Sequence, residues 1–321
     1  AGKTVMDIRY AGLDQRLVGL GMQRGALFEL LDAAWQPRGC LHAGTRVTGI
    51  DAQLRRLHDA QGRQYGPYDL IIAADGANSC LRGVPAAVPR DRPYPWGARW
   101  CLLDAGDWPH ADELRQRYDG TRKMAGLLPV GSRPGDATPR LSFFWSLRSD
   151  AQQAWEAQPL HIWKQELEQL WPEASGRLQL IQQHGQLLRA AYRDSVVSAW
   201  SRGRLVLAGD AAHAMSPQLG QGVNMALLDA WSLATQLQQH STLDQALAAY
   251  QQQRQARAVD RLGHHDAGVA TDPRVKAQAV AQHPGQAAVE LRHVDRIAVG
   301  GAGGHVGDLP LRAAAADRDR A

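Results

Sequence analysis

The stretch that most constrains the fold runs from residue 203 to residue 234 and reads GRLVLAGDAAHAMSPQLGQGVNMALLDAWSLA. Its apolar run, Leu205 to Ala208, predicts a short strand buried on both faces, as in parallel α/β sheets. Gly209 and Asp210 follow at once, at the strand end where open α/β sheets bind ligands. The apolar spacing after Gly222 predicts a long helix. The stretch therefore predicts an α/β fold with a binding corner.

The loop between this strand and this helix has the composition of an anion-stabilising backbone site. Pro217 stiffens the loop, and glycines 220 and 222 let the backbone approach a flat ligand closely. A helix N-terminus favours negative charge by about 0.3 to 2 kcal/mol. The amides expected to provide this effect are those of Gln221, Gly222, Val223 and Asn224.

A second loop of the same kind occurs earlier in the chain. The run Leu70 to Ala74 predicts a buried strand, and Asp75 and Gly76 follow it directly. Between the two loops the sequence predicts several strands separated by turns. Aromatic and aliphatic residues recur at every second position over 141–147, as in a strand with one apolar face. Residues 151–171 predict an amphipathic helix.

These patterns divide the chain into four parts. We expect α/β segments at residues 1–85 and 191–265, a β-rich domain at 86–190, and a C-terminal tail at 266–321. The tail is rich in Ala, Gly and Arg without a sustained period, so we expect it to be poorly ordered.

Composition excludes several classes of function. The net charge of +4 is small and the basic residues are interspersed with acids, so nucleic-acid binding is not indicated. No apolar run approaches the roughly 18 residues of a membrane helix, and there is no signal-peptide pattern. The three cysteines lack metal-ligand spacing, which predicts a reduced, cytoplasmic protein without a metal site.

Two motifs carry a resemblance to a known family. GDAAHAMSPQLGQGVN, followed by ALLDAWSLA, resembles the second FAD-binding motif of the class A flavoprotein aromatic hydroxylases, the family of para-hydroxybenzoate hydroxylase. DGANSCLR, from Asp75 to Arg82, is similar to that family's Asp-Gly-x-x-Ser-x-x-Arg motif. Arg24 and Leu27 match its Arg-x-x-Leu helix. Both motifs occur in the family's order, which is more specific than either alone.

The resemblance implies a Rossmann-like FAD-binding domain interrupted by a mostly antiparallel β-sheet substrate domain, over about residues 5–265. It also implies roles for individual residues. Asp210 would accept hydrogen bonds from the ribityl chain of FAD, and Pro217 would lie beside the isoalloxazine ring. The amides from Gly220 to Asn224 would stabilise charge at its pyrimidine edge.

The remaining implied contacts lie earlier in the chain. Arg24 would contact the flavin or its phosphates. Asp75 and Gly76 would serve both FAD and the nicotinamide nucleotide, and Arg82 would hold the geometry of their motif.

The resemblance further implies an NAD(P)H-consuming monooxygenase that hydroxylates an aromatic or phenolic small molecule with O2 through a flavin C4a-hydroperoxide. In that chemistry the flavin performs the difficult step, and no side-chain nucleophile is needed. Phe143 and Trp145 are candidates for an aromatic substrate pocket, although the opposite face of their strand is an equally good candidate. His213 is interpreted as a structural hydrogen-bonding residue rather than a base.

The sequence departs from the family in one respect. The family begins with a strand, a Gly-x-Gly-x-x-Gly turn and a helix, and no such unit precedes Arg24. VGGAGGHVGD, near the C-terminus, is expected to follow no adequate strand and to open no helix. We therefore expect an N-terminally incomplete FAD-binding domain.

Two alternatives to the monooxygenase stay open: a truncated, non-catalytic remnant and a quinone-ring hydroxylase of the same fold. A flavin halogenase is disfavoured because its Trp-x-Trp-x-x-Pro signature is missing. The substrate, the choice between NADH and NADPH and the oligomeric state are left undetermined by the sequence.

Overall fold

A computed structural model describes residues 4, 7, 9–12, 14–16, 18–35, 40–51, 53, 55–216, 220–266, 296–301 and 305–310 of the chain. The helices of this part are α1 (Arg24–Trp35), α2 (Gln152–Ala157), α3 (Leu160–Leu170), α4 (Ser175–Leu178), α5 (Asp210–His213), α6 (Gly222–Gln239) and α7 (Leu243–Asp266). Short 3₁₀ turns lie at Tyr10–Gly12, Ser149–Ala151, Pro172–Ala174 and His184–Gln186.

The strands of the described residues belong to three sheets. They are β1 (Cys40–His42), β2 (Val47–Asp51), β3 (Arg56–Asp59), β4 (Gln64–Tyr65), β5 (Leu70–Ala74), β6 (Arg90–Asp104), β7 (Arg115–Asp119), β8 (Lys123–Pro129), β9 (Arg140–Arg148), β10 (Leu188–Val196), β11 (Ser201–Arg202), β12 (Leu205–Leu207), β13 (Arg296–Gly301) and β14 (His305–Pro310).

The chain forms two compact units. The first contains residues 1–17, 36–92 and 193–321, and the second contains residues 18–35 and 93–192. The sequence predicts a β-rich domain at 86–190, and residues 18–35, which contain α1, belong to the second unit as well. The α/β class with an antiparallel insertion is confirmed by the sheets described below.

The first unit is built on a six-stranded sheet with the order β1-β14-β13-β5-β12-β11. Its three central strands are parallel, because β13 and β12 both run parallel to β5. The predicted strand at residues 70–74 forms as β5, and its Leu70 and Ile71 are no more than 1% exposed. The apolar run therefore forms a central strand with both faces covered, as predicted.

Helices α6 and α7 and a small sheet complete the core of this unit. The small sheet has the order β2-β3-β4. Met225 and Leu233 of α6 and Tyr250 of α7 are buried in the same cluster as β5 and β12. The Tyr250 hydroxyl donates a hydrogen bond to the Leu207 carbonyl oxygen at 3.0 Å, which attaches α7 to the end of β12.

The second unit contains an antiparallel sheet with the order β10-β6-β9-β8-β7. Along β9, buried Leu141, Phe143 and Trp145 alternate with partly exposed residues, so the predicted alternation is confirmed. Trp163 of α3 is fully buried and lies 6.2 Å, between ring centroids, from both Phe143 and Trp145. Helix α3 therefore covers this face of the sheet.

Two predictions about secondary structure were wrong. The single helix predicted at 151–171 is divided into α2 and α3, because Pro159 has an extended backbone and no amide to continue α2. The second concerns VGGAGGHVGD, residues 299–308: its first three residues end a strand, β13, which pairs parallel to β5 with Gly301 opposite Ala74. Its last four residues lie in strand β14 rather than in a helix, so only the expectation of no adequate strand was wrong. The prediction failed because β13 is short and glycine-containing, and its sheet partner lies far away in the sequence.

In the residues that the structure describes, no helix has the length and apolar character needed to cross a membrane.

Candidate functional site

The two predicted loops lie at one edge of the six-stranded sheet. Leu207 of β12 is directly opposite Ala73 of β5, and the two strands run in the same direction. The next amide, that of Ala208, donates to the Ala73 carbonyl oxygen at 3.0 Å. Asp75 and Gly209 therefore leave neighbouring strands at the carboxyl edge of the sheet, where α/β folds bind ligands.

The corner after β12 requires glycine at position 209. Gly209 has φ of 59° and ψ of −142°, a region that side chains essentially exclude. A Cβ atom added there would lie 3.3 Å from the Cβ of Ala226 on α6. This conformation lets α5 begin at Asp210, whose side chain is exposed.

Arg82 joins the two loops. Its guanidinium donates to the carbonyl oxygens of Ala77 at 2.7 Å and Gly76 at 3.3 Å in the first loop. It also donates to those of Asp210 and Ala211, each at 2.9 Å, in the second. Its side chain is only 3% exposed. One buried side chain thus fixes the backbone of both loops, and this supports the predicted role of Arg82 in holding the motif's geometry.

Asp91 balances the charge of Arg82. The carboxylate accepts from Arg82 Nη1 at 3.1 Å, from Ser195 Oγ at 2.8 Å and from Arg193. Burial raises the pKa of Asp91, but the hydrogen bonds from Arg193 and Ser195 and the two guanidinium charges outweigh it, so the pKa is lowered. Asp91 is therefore ionised at neutral pH. Sequence reasoning missed it because only the fold brings it to Arg82.

Asp75 presents one oxygen atom with a partner and one without. Its Oδ2 accepts from the Cys80 amide at 3.1 Å, which closes the first loop. Its Oδ1 is buried and has no hydrogen-bond partner among the described residues. A buried acceptor of this kind costs about 1 to 3 kcal/mol when it stays unsatisfied. The atom therefore suits a ligand that brings a hydroxyl or amide donor.

The start of α6 lies beside the Asp210 carboxylate. Helix α6 begins at Gly222, and its N-cap residue Gln221 makes no side-chain capping bond. A Cβ atom added to Gly222 would lie 4.0 Å from Asp210 Oδ1. Gly220, with φ of 59°, adopts the left-handed conformation that glycine tolerates. The helix N-terminus and the carboxylate thus share one small region.

The remaining residues of this predicted loop are placed as follows. Val223 is exposed and Asn224 is half-buried in the first turn of α6, and the Asn224 side chain donates to Gln221 Oε1 at 3.4 Å. Pro217 lies outside the described residues.

Behind the corner lies a buried ionic cluster that the sequence analysis did not identify. Asp229 of α6 is fully buried and accepts from His213 at 2.6 Å and from Arg254 at 2.7 Å. This contact and the burial of His213 agree with its interpretation as a structural hydrogen-bonding residue. A signal was present in the sequence, because Asp229 interrupts the apolar face of a predicted helix.

Four predicted residues belong to the second unit. Arg24 is the first residue of α1 and is exposed, and Leu27 is half-buried. Phe143 and Trp145 are 0% and 3% exposed and pack in the core under α3. Both side chains therefore pack in the core, and the opposite side of β9, the other candidate face, points away from α3. Among the described residues, no cluster of His, Cys, Asp or Glu could hold a metal ion.

Comparisons with known proteins agree with this geometry. Residues 44–262 match the family model described as FAD binding domain. The 6-hydroxynicotinate 3-monooxygenase of Bordetella bronchiseptica is 30% identical over 273 residues, which cover 79% of this chain and 67% of that protein. Kynurenine 3-monooxygenase of Xanthomonas campestris pv. campestris is 31% identical over 270 residues, covering 75% and 55%.

A solved structure shows the same fold. Klebsiella pneumoniae HpxO, complexed with FAD and uric acid, superposes with a TM-score of 0.54 at 25% identity, covering 74% of this chain and 61% of that one. The chain spans between 55% and 67% of the length of these three relatives. By its matched domain and its relatives, the chain belongs to the family of FAD-dependent aromatic hydroxylases, whose cofactor is FAD.

Proposed function

We propose that the protein is a flavoprotein monooxygenase that uses NAD(P)H and O2 to hydroxylate an aromatic or phenolic small molecule. The observation that carries the proposal is the connection of both cofactor motifs by Arg82, which binds carbonyl oxygens 5 and 128 positions away in the sequence. A buried side chain that orders two separate loops at a sheet's carboxyl edge is expected of a binding site.

The residues present at this edge fit FAD. The unpartnered Asp75 Oδ1 suits a hydroxyl donor of the cofactor. The exposed carboxylate of Asp210 would accept from ribityl hydroxyls. The N-terminus of α6, with no side-chain cap from Gln221, would stabilise negative charge on the reduced flavin through its dipole.

When bound, FAD would supply the redox chemistry of a monooxygenase, in which NAD(P)H provides two electrons, one oxygen atom of O2 goes to the substrate and the other leaves as water. The chain's own residues would bind the cofactor and orient it. Asp210 and the α6 amides would hold the flavin, while Arg82 and Gly209 fix the backbone that presents them. Arg24 would contact the flavin or its phosphates, and Pro217 would lie beside the ring.

For the substrate we propose the face of the antiparallel sheet opposite α3. Phe144 of β9 and Trp100 of β6 are directly opposite each other and half-buried. The Phe144 ring lies over Gly126 of β8, because a Cβ atom added there would be 2.0 Å from the ring's Cζ. Two adjacent aromatic side chains on one face suit a planar aromatic ligand.

We also propose that the protein acts in the cytoplasm, where thiols stay reduced. Cys80 and Cys101 are free. Burial raises the pKa of Cys101 to about 12, so this thiol stays neutral and unreactive.

The test is a flavin titration of the purified 321-residue chain. We expect the chain to retain FAD after desalting, visible as flavin absorbance, and Asp210→Asn to raise the Kd by at least about tenfold, worth about 1.4 kcal/mol. Asp244→Asn, an exposed carboxylate in the first turn of α7, is the matched control and should leave the Kd unchanged.

Activity is measured next, as NAD(P)H oxidation with and without aromatic hydroxy acids. We expect the substrate to accelerate the oxidation in the wild-type chain, and Gly126→Ala to reduce that acceleration by displacing Phe144. A chain that never retains flavin, or an Asp210→Asn variant that binds FAD as tightly as wild type, would contradict the proposal.

A further inference from the structure

The buried carboxylate of Asp229 lies directly behind the cofactor corner, which consists of Gly209, Asp210 and the N-terminus of α6 at Gly222. Its side chain is 0% exposed, and it accepts three hydrogen bonds. The Gly209 amide donates to Oδ2 at 2.9 Å and His213 Nε2 lies 2.6 Å from the same atom, while Arg254 Nε donates to Oδ1 at 2.7 Å. The three donors come from the corner, from α5 and from α7.

Burying the Asp229 carboxylate costs free energy, which suggests that its contacts fix the geometry of the backbone around it. A carboxylate loses its hydration on burial, and apolar residues of similar volume can often replace a whole buried ionic cluster without loss of stability. Asp229 nevertheless keeps its charge. Burial raises its pKa, but the hydrogen bond and charge of His213, together with the charge of Arg254, outweigh that effect and lower it.

The contact with Gly209 is the informative one. Gly209 holds a backbone conformation that glycine adopts readily and residues with a side chain do not, and its amide donates to Asp229. The following residue, Asp210, places its carboxylate beside Gly222 at the start of α6. Because Asp229 also lies on α6, its bond to the Gly209 amide sets the distance between the corner and the helix that Asp210 faces.

We propose that Asp229 is the positioning residue of the cofactor corner, and that Arg254 and His213 keep its carboxylate charged and correctly oriented. The proposal rests on the proposed function, since it assigns Asp229 an effect on FAD binding through Asp210. Asp229 acts through the backbone of Gly209 and is not itself a ligand of the cofactor.

The first test does not need FAD. Hydrogen exchange of the Gly209 amide, followed by NMR or by mass spectrometry of a peptide covering the corner, reports the bond to Asp229 directly. We expect this amide to exchange at least about tenfold faster in Asp229→Asn at equal global stability. Asp244→Asn, the exposed carboxylate on α7, should leave the exchange rate as it is in wild type.

The second test is a double-mutant cycle on the Kd for FAD. If Asp229 acts through Asp210, Asp229→Asn and Asp210→Asn each raise the Kd about tenfold, and the double variant raises it no further than the weaker-binding single variant. Asp229→Glu keeps the charge between Arg254 and His213 but moves its oxygens, so it should restore thermal stability more than FAD affinity. It also serves as the second variant where Asp229→Asn does not fold.

The outcomes separate the two proposals. Unchanged Gly209 exchange in both Asp229 variants overturns the positioning role, and so do effects on the Kd that multiply. A purely structural role predicts lower stability with an unchanged Kd in folded protein. A wild-type chain that binds no flavin refutes the proposed function, while faster Gly209 exchange in Asp229→Asn would still show that Asp229 holds the corner.

Discussion

Replacing Arg82 by Met tests whether one side chain holds the two cofactor loops together. The change removes donors to four carbonyl oxygens and the ion pair with Asp91, while it keeps much of the side chain's volume. Hydrogen bonds from a charged donor are worth about 1.5 to 3 kcal/mol each. The four do not add, because they share one guanidinium and the freed carbonyls can bind water.

The expected loss is therefore the value for breaking a buried pair, about 3 to 5 kcal/mol in the free energy of unfolding. Asp91 keeps two partners, Ser195 and Arg193, so its own charge is not left alone, and this favours the lower end of that range. Arg82→Lys keeps the charge but lacks the planar fork that reaches several carbonyls, so we expect an intermediate loss.

The assay is urea unfolding at pH 7 followed by far-UV circular dichroism, with FAD Kd values measured on the folded variants. Arg55→Met is the matched control, because the Arg55–Asp69 pair at 3.0 Å has side chains 39% and 36% exposed and should contribute less than about 1 kcal/mol. A loss in Arg82→Met no larger than in Arg55→Met, together with an unchanged Kd, would refute the bridging role.

Three further changes probe other parts of the molecule. Burial raises the pKa of Asp59, but hydrogen bonds led by that of Arg63 outweigh it and hold the pKa at about 2, below the ordinary 3.8. Asp59→Asn should therefore lower the urea midpoint at pH 7, and the difference from wild type should disappear as the pH falls from about 4 through about 2. Trp163→Ala, in the core of the second unit, should cost about 3 to 5 kcal/mol in urea unfolding, and Trp163→Phe clearly less. Gly209→Ala should cost about 1 to 3 kcal/mol through its backbone conformation and its approach to Ala226, and should weaken FAD binding in the same titration.

Short-range patterns made the regular elements predictable. The apolar run Leu70 to Ala74 forms β5 with the predicted bounds, and α6 begins at Gly222 as expected from the apolar spacing after it. The acid and glycine that follow each strand identified the ligand edge, because their position at a strand's carboxyl end is a local property of the sequence.

Contacts between elements were not predictable in this way. Arg82 and Asp91 are nine residues apart, but no regular element connects them, so their pairing has no periodic signal in the sequence. Asp229 reaches Gly209, 20 residues away, only because α6 packs against the backbone that follows β12. For the same reason, the sequence alone did not show which face of β9 is buried. The alternation along β9 was evident, but the choice of the buried face depends on α3, which covers Phe143 and leaves Phe144 on the other side.

Asp91 also explains how an insertion can separate two motifs that form one site. It lies at the start of β6, where the chain leaves the first unit, and Ser195 lies near the end of β10, just after the chain returns. The 2.8 Å bond between them therefore joins the exit and the return of the chain within the first unit. Because the same carboxylate binds Arg82, the junction is attached to the side chain that orders both loops. Contacts within the first unit thus set the distance between the two motifs. That distance does not depend on the length of the inserted segment.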